Sequence, residues 1–255
     1  MSARIDLNAD LGEGFGPWRM GDDAALLDIV TSANVACGFH AGDPDIMVET
    51  AAAARARGVA IGAHPGFWDL RGFGRLRIQD SPRRIERDIA YQIGAFQACA
   101  ALAGARVTHV KAHGALANLS NEEDAVAEAL ARAVRGVDRD LILVVMPGLP
   151  TERAGERAGL RLAREIYADR GYAADGTLLP RAMPGAMIHD AEAAAARVAR
   201  MVGEGAVFAA DGRAIPVAID TVCVHGDNPA AIVMARAVRT ALEAAGLSLK
   251  PFAVA

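Results

Sequence analysis

The chain has 255 residues, 53% of them hydrophobic, and a formal net charge of -4, which is enough for one large α/β domain or two small ones. No basic stripe argues for nucleic acid, and no apolar run reaches the roughly 20 residues that cross a bilayer. Cys37, Cys99 and Cys223 are too few and scattered for a disulfide framework or a zinc ribbon. With an N-terminus that lacks the apolar core of a secretory signal, they point to the reduced cytoplasm.

In chain order, short apolar runs alternate with helix-like segments. "RIDLNAD" (4 to 10) reads as a strand before "DDAALLDIVTS". "ANVAC" (33 to 37) precedes "DPDIMVETAAAARARG", which has an acidic, proline-containing start and a glycine stop. "VAIGAHP" (59 to 65) leads through a glycine- and arginine-rich loop to the long helical pattern "SPRRIERDIAYQIGAFQACAALAG". "VTHVKAH" (107 to 113) precedes "SNEEDAVAEALARAV", where Ser120 or Asn121 is placed to cap a helix. "LILVVMP" (141 to 147) and "LRLAREIYAD" (160 to 169) are the next two strands, and "DAEAAAARVARMVGEG" is the helix after them. "TVCVHGD" (221 to 227) precedes "NPAAIVMARAVRTALEAAG", and "LSLKPFAVA" closes the chain.

About seven β-then-α units without an internal linker predict one (β/α) barrel of parallel strands over residues 1 to 255, rather than an open doubly wound sheet. "VFAADGRAIPVA" (207 to 218) carries Asp211-Gly212 between two apolar runs and predicts a hairpin insertion.

Nearly every strand ends in side chains able to do chemistry. They are Asn8, Asp10 and Glu13 at the first, His40 and Asp43 beyond the second, His64 at the third and Lys111 with His113 at the fourth. Asp169 and Arg170 end the sixth, and His225 and Asp227 the last. In a parallel barrel these ends meet on one face, so residues distant in sequence form one pocket. Any one of these histidines alone reads more simply as structural, but the recurrence at strand ends beside glycine or proline favours function. Arg71 and Arg75 flank glycines in "DLRGFGRLR" and suit a carboxylate or phosphate, or a solvated turn. Lys111 is one of two lysines in an arginine-rich chain; it reads either as a substrate-holding point charge or as a buried partner of Asp10 or Glu13. His109 lies deeper and has no assigned role, and His189 reads as a cap or surface residue.

There is no G-x-x-x-x-G-K-[ST] loop and no G-x-S-x-G elbow, so neither a Walker-type ATP site nor a serine hydrolase is expected in this chain. Asp10, His40 and His64 are the ligands expected if a divalent metal is present.

Six segments, "DLNADLGEGFG", "ANVACGFHAGDP", "GAHPGFWDLRGFGR", "VKAHGALAN", "YADRGYAADGTLLPR" and "CVHGDNP", span residues 6 to 229. With them the chain resembles the LamB/YcsF family. The resemblance implies a seven-stranded (β/α) barrel similar to those of polysaccharide deacetylases and some glycoside hydrolases. It also implies ATP-dependent opening of 5-oxoproline to glutamate, carried out with subunits B and C and with ATP as cosubstrate. The family usually reads "VKPHGALYN"; here Ala112 and Ala117 stand for the proline and tyrosine. Ring opening needs a base, an acid and cations for oxyanion and phosphate. Asp10 or Glu13 is placed for the first, His40, His64 or His113 for the second, and Lys111 with Arg75 for the third. Asn8, Arg71, Arg75, Asp169, Arg181, His225 and Asp227 are the expected substrate-binding residues. No tightly bound metal is expected, and self-association stays open. The rival readings are a stand-alone metal-dependent amidase or deacetylase, and a non-catalytic scaffold.

Overall fold

Strict alternation sets the first strand. In β1, Arg4–Leu11, the side chains of Asp6, Asn8 and Asp10 fall on one face and those of Leu7, Ala9 and Leu11 on the other. The computed structural model describes residues 4–225 and 231–253. After β1 come α1 (Asp23–Leu27), β2 (Ser32–Ala36), α2 (Pro44–Ala56), β3 (Ala60–His64), α3 (Pro82–Leu102) and β4 (Val107–Val110). Then follow α4 (Gly114–Glu122), α5 (Asp124–Val137), β5 (Ile142–Val145), α6 (Pro150–Arg157), β6 (Arg161–Tyr167) and α7 (Ala191–Glu204). The chain continues through β7 (Ala206–Phe208), β8 (Ala214–Pro216), β9 (Thr221–Val224), α8 (Ala231–Ala244) and β10 (Ser248–Leu249).

The strands β1 to β6 pair in order and in parallel, β9 follows β6, and β1 also pairs with β9, which closes a seven-stranded barrel. The short β10 adds to the start of β1. β7 and β8 form the expected antiparallel hairpin, with Val207 opposite Ile215.

The apolar faces pack outward against the helices. Leu7, Leu11, Val35, Leu143 and Ile166 meet Ile89, Phe96, Leu130 and Val238 in one buried cluster, whose burial is the main driving force for the fold. The inward faces of β1, β2 and β4 are largely polar, unlike the branched apolar layers usual in such barrels, while Ile142 and Val144 of β5 and Ala163 of β6 form a small apolar patch inside. Register aligns Asn8 with Ser32 and Asp10 with Asn34, and Glu165 with Thr221. Polar layers therefore stack along the axis. At its base Asp6 accepts hydrogen bonds from Thr31 (2.7 Å), Ser32 (2.6 Å) and Thr221. Above it Asn8 donates to Glu165 (3.0 Å) and Thr221 (2.7 Å) and accepts from Asn34 (2.8 Å). His109 completes this layer, 3.1 Å from the Asn34 Oδ1. It fits because Gly62 on β3 has no side chain: a Cβ there would lie 2.1 Å from the imidazole ring.

Helix starts follow their capping residues. Asp43 accepts from the Ile46 N–H with Pro44 next in line, and Ser81 caps α3 in the same way. One expectation fails. Residues 120 and 121 do not start a helix but close the extra helix α4, and α5 begins after Glu123. The glycine and small residues of "GALANLSN" hid α4, which is held by packing of Leu116 and Leu119 rather than by propensity.

Candidate active site

Lys111 and His113 lie just past the end of β4, where the backbone continues extended and still bonds to β3: the 111 amide donates to the Ala63 carbonyl (3.0 Å) and the 113 amide to Pro65 (2.8 Å). Both side chains thus share the inner face at the barrel mouth, as the spacing predicts. The Lys111 ammonium is buried and has three protons and three close acceptors: Asp10 Oδ1 at 3.0 Å, Glu165 Oε1 at 2.9 Å and Cys223 Sγ at 3.0 Å. Burial alone would lower its pKa, but these partners, Asp10 first, hold it well above the ordinary lysine value. Burial likewise pushes the Asp10 carboxyl up, and the charges of His64 and Lys111 overcome it and hold it well below the usual range. The partner expected from sequence was Asp10 or Glu13; the structure supplies Asp10 and Glu165.

Beside this ion cluster stand three buried histidines. His64 Nδ1 donates to the Lys111 carbonyl at 2.7 Å, and His113 Nε2 donates to the Phe73 carbonyl at 2.9 Å. His113 Nδ1 then faces His64 Nε2 at 3.0 Å. His40 stacks flat on His113, ring centroids 3.7 Å apart. Its Nε2 is 3.4 Å from Glu13 Oε1, and His113 Nδ1 is 3.5 Å from the same oxygen. Burial, and then repulsion from neighbouring imidazoles, hold His40 and His113 well below the ordinary histidine pKa. Two glycines permit this crowding. A Cβ at Gly74 would lie 2.7 Å from both His40 and His113, and one at Gly66 would lie 2.8 Å from His40 Nδ1.

A cavity of about 490 Å³ opens over this floor, lined among others by Asp10, His64, Lys111, His113, Tyr167 and His225. On its far side Asp169 accepts from His225 Nδ1 at 2.7 Å, which fixes the imidazole tautomer and leaves Nε2 as the atom that takes or gives a proton. Burial raises the Asp169 carboxyl, but His225 outweighs it and lowers the pKa. Arg170 is buried and donates to the Leu179 carbonyl (2.7 Å), clamping the loop that forms one wall. Arg75 and Arg181 are exposed but also line the cavity, as do Ala112 and Ala117.

Most of the residues singled out in the sequence converge. Asp10, His64, Arg75, Lys111, His113, Arg181 and His225 line the cavity. Glu13 and His40 sit behind it, in contact through His113. Asn8 does not reach it: alternation puts it one layer deeper, saturated by Glu165, Thr221 and Asn34. Arg71 is exposed and away from the cavity lining, on the solvated turn that was its other reading. Asp43 is a helix cap and His189 a surface residue ahead of the Asp190 cap. Asp227 lies outside the described residues. The sequence reading missed Glu165 and Asn34. Each is a polar side chain in phase with its strand's inward face, which is the signal that would have found them.

The comparisons agree with this architecture. The model of the LamB/YcsF family matches residues 5–255. The A component of 5-oxoprolinase from Rhodopseudomonas palustris strain BisB18 is 57% identical over 250 residues, 98% of each chain. The crystal structure of a lactam utilization protein from Thermus thermophilus superposes with a TM-score of 0.92 at 46% identity, covering 98% of this chain and 100% of that one. The catalytic domain of a peptidoglycan N-acetylglucosamine deacetylase from Eubacterium rectale shares the fold alone, at a TM-score of 0.54 and 12% identity over 100% of this chain and 90% of that one. A match that spans the chain almost end to end, motifs and barrel together, places it in the LamB/YcsF family.

Proposed function

We propose that this chain is the lactam-binding component of an ATP-dependent 5-oxoprolinase that opens 5-oxoproline to glutamate together with subunits B and C. The observation that carries the reading is the near end-to-end match, at 57% identity, with a relative that bears the name of the 5-oxoprolinase A component. The likeness to a lactam utilization protein supports the same substrate class. The geometry is suited to the chemistry. An unstrained lactam resists water, so ATP activates it by phosphorylating the amide oxygen. The γ-phosphoryl group goes to that oxygen and ADP leaves. Water adds to the carbonyl carbon, the C–N bond breaks as the ring nitrogen takes a proton, and hydrolysis of the resulting acyl phosphate releases inorganic phosphate and glutamate.

Lys111 and Arg75 offer cations at the cavity for oxyanion and phosphate. The sequence allowed Asp10 as the base, but its carboxylate is engaged by Lys111 and Asn34 and held ionised, which makes it a poor proton acceptor. The Asp169–His225 pair takes the proton transfer instead, with Asp169 orienting the ring and His225 Nε2 serving the leaving nitrogen. ATP handling is assigned to the assembled complex, since this chain has no Walker-type loop. The cytoplasm suits three free cysteines and a chain with no membrane-crossing helix among its described residues.

The test is glutamate release from 5-oxoproline and ATP by the purified chain, alone and with subunits B and C. The expected result is little or no turnover alone and robust turnover in the complex. Robust turnover by the chain alone removes the multisubunit part of the reading, and no turnover by the complete mixture removes the substrate.

A further inference from the structure

His64 Nε2 and His113 Nδ1 face each other at 3.0 Å, and each ring has its other nitrogen committed as a donor to a backbone carbonyl. A carbonyl accepts and never donates, so both facing nitrogens carry lone pairs when the rings are neutral. Something electrophilic must stand between or beside them. A proton on His64 Nε2, which also lies 3.4 Å from Asp10 Oδ2, would satisfy this pair but leave His40 unanswered. Next to it His40, fully buried, has no hydrogen-bond partner for either ring nitrogen among the described residues. Its Nε2 faces Glu13 Oε1, which also faces His113 Nδ1.

We propose that Glu13, His40, His64 and His113 form a binding site for one divalent first-row transition-metal ion, zinc by ligand chemistry. Their donor atoms all lie within 4.8 Å of one another. The measured edges are 3.0, 3.4 and 3.5 Å. An ideal tetrahedron with metal–ligand bonds of about 2.0–2.1 Å has edges of about 3.3–3.4 Å, so small adjustments close it. Imidazole and carboxylate donors suit zinc, and imidazole selects against calcium and magnesium. The backbone carbonyls of Lys111 and Phe73 already do what a ligating histidine requires, by holding the far N–H and fixing the tautomer. The four ligands come from beyond β1, from beyond β2, from the end of β3 and from beyond β4, so the ion ties four loops of the mouth together. His64 and His113 border the cavity, so an ion closed by four protein ligands would fix that wall as a structural site.

The other cluster of ligand types, Asp10, Cys223 and His225, is a poorer site. The Lys111 ammonium sits 3.0 Å from both Asp10 Oδ1 and Cys223 Sγ and repels a cation there. The proposal reverses the sequence expectation of no tightly held metal. It replaces Asp10, engaged by Lys111, with Glu13 and His113. It goes beyond the lactam reading and stands without it, because it is tested with no turnover at all.

The test uses untagged full-length chain purified without chelator. Elemental analysis is expected to find one equivalent of metal per chain, or the chelated chain is expected to take up one equivalent of zinc by calorimetry. Cobalt substitution is expected to give the visible bands of tetrahedral coordination without a thiolate charge-transfer band. His40→Ala is expected to weaken zinc binding more than about a hundredfold, since losing even a ligand's orienting partner costs about 10- to 100-fold. If that variant does not fold, X-ray absorption at the metal edge of the unaltered protein is expected to count at least two imidazoles. Substoichiometric metal with no zinc uptake, a cobalt–thiolate band, undiminished affinity in a folded His40→Ala, or fewer than two imidazoles each overturns the proposal.

Discussion

Replacing Lys111 by methionine tests the axis of the barrel. The lysine is 4% exposed and its ammonium bridges carboxylates on two other strands, Asp10 on β1 and Glu165 on β6. Asp10 and Glu165 are themselves 5% and 2% exposed. Methionine keeps most of the stem volume, so the cavity term is small, and the loss is dominated by two buried carboxylates left without their cation. Removing one partner of a buried pair costs about 3–5 kcal/mol. For a chain of this length 1 kcal/mol moves Tm by roughly 2–4 °C, so a fall of about 6–20 °C is expected. Urea unfolding followed by circular dichroism measures it. The double variant Lys111→Met with Glu165→Gln should recover part of the loss, with a coupling of about 0.5–3 kcal/mol. A single-variant loss below about 1 kcal/mol, the range of an exposed pair, refutes the structural role and returns Lys111 to substrate holding alone.

Asp169→Asn preserves an acceptor for His225 Nδ1 but removes the charge that stabilises the imidazolium. Glutamate release by the complete complex should fall by about a hundredfold or more at unchanged Tm; full activity in a folded variant takes the pair out of the mechanism. Asp6 at the base of the barrel supplies a pH test. Burial, opposed only in part by its three hydroxyl partners, raises its pKa from 3.8 to about 6. A raised carboxyl contributes stability that is complete below pH 3.8 and is lost as pH rises through about 6; the shift corresponds to about 3 kcal/mol. Asparagine in its place does not titrate, so the stability of Asp6→Asn relative to the unaltered chain should rise by that amount across the window. Parallel stability curves for the two proteins from pH 3.5 to 7 sink the assignment.

The barrel was legible because its outward strand faces and its helices obey simple periodicity. Leu7, Ala9 and Leu11 form an apolar face on β1, and Asp43-Pro44 and Ser81-Pro82 announce helix starts in the residues themselves. The hairpin of β7 and β8 was legible from Asp211-Gly212. Helix α4 was not. It begins at Gly114, in a left-handed backbone conformation (φ 53°) that no propensity scale reads as a start. It is placed by the Gly74 carbonyl, which accepts from the Ala115 amide and lies where a Cβ on Gly114 would be, 2.7 Å away. That contact joins segments 40 residues apart.

The mouth was legible for a different reason. Strand ends are fixed by sequence, so residues at those ends could be gathered without knowing any distance. Depth along the barrel axis was harder, since it depends on stagger between strands as well as position within one. Asn8 and Asp10 share a face, yet only Asp10 reaches the cavity, because the two lie in successive layers against Ser32 and Asn34. The inward polar face was visible as Asp6, Asn8 and Asp10 on one strand and as Glu165 on another. Reading those residues as strand-end chemistry alone hid their second role. A polar axis inside a barrel must satisfy every donor and acceptor or lose several kcal/mol at each failure. Asp6, Asn8, Asn34, His109, Lys111 and Glu165 meet that demand by bonding to one another or to the hydroxyls beside them. His40 does not. A fully buried imidazole with no hydrogen-bond partner among the described residues, beside a network so completely paired, is the observation on which the proposed metal site rests.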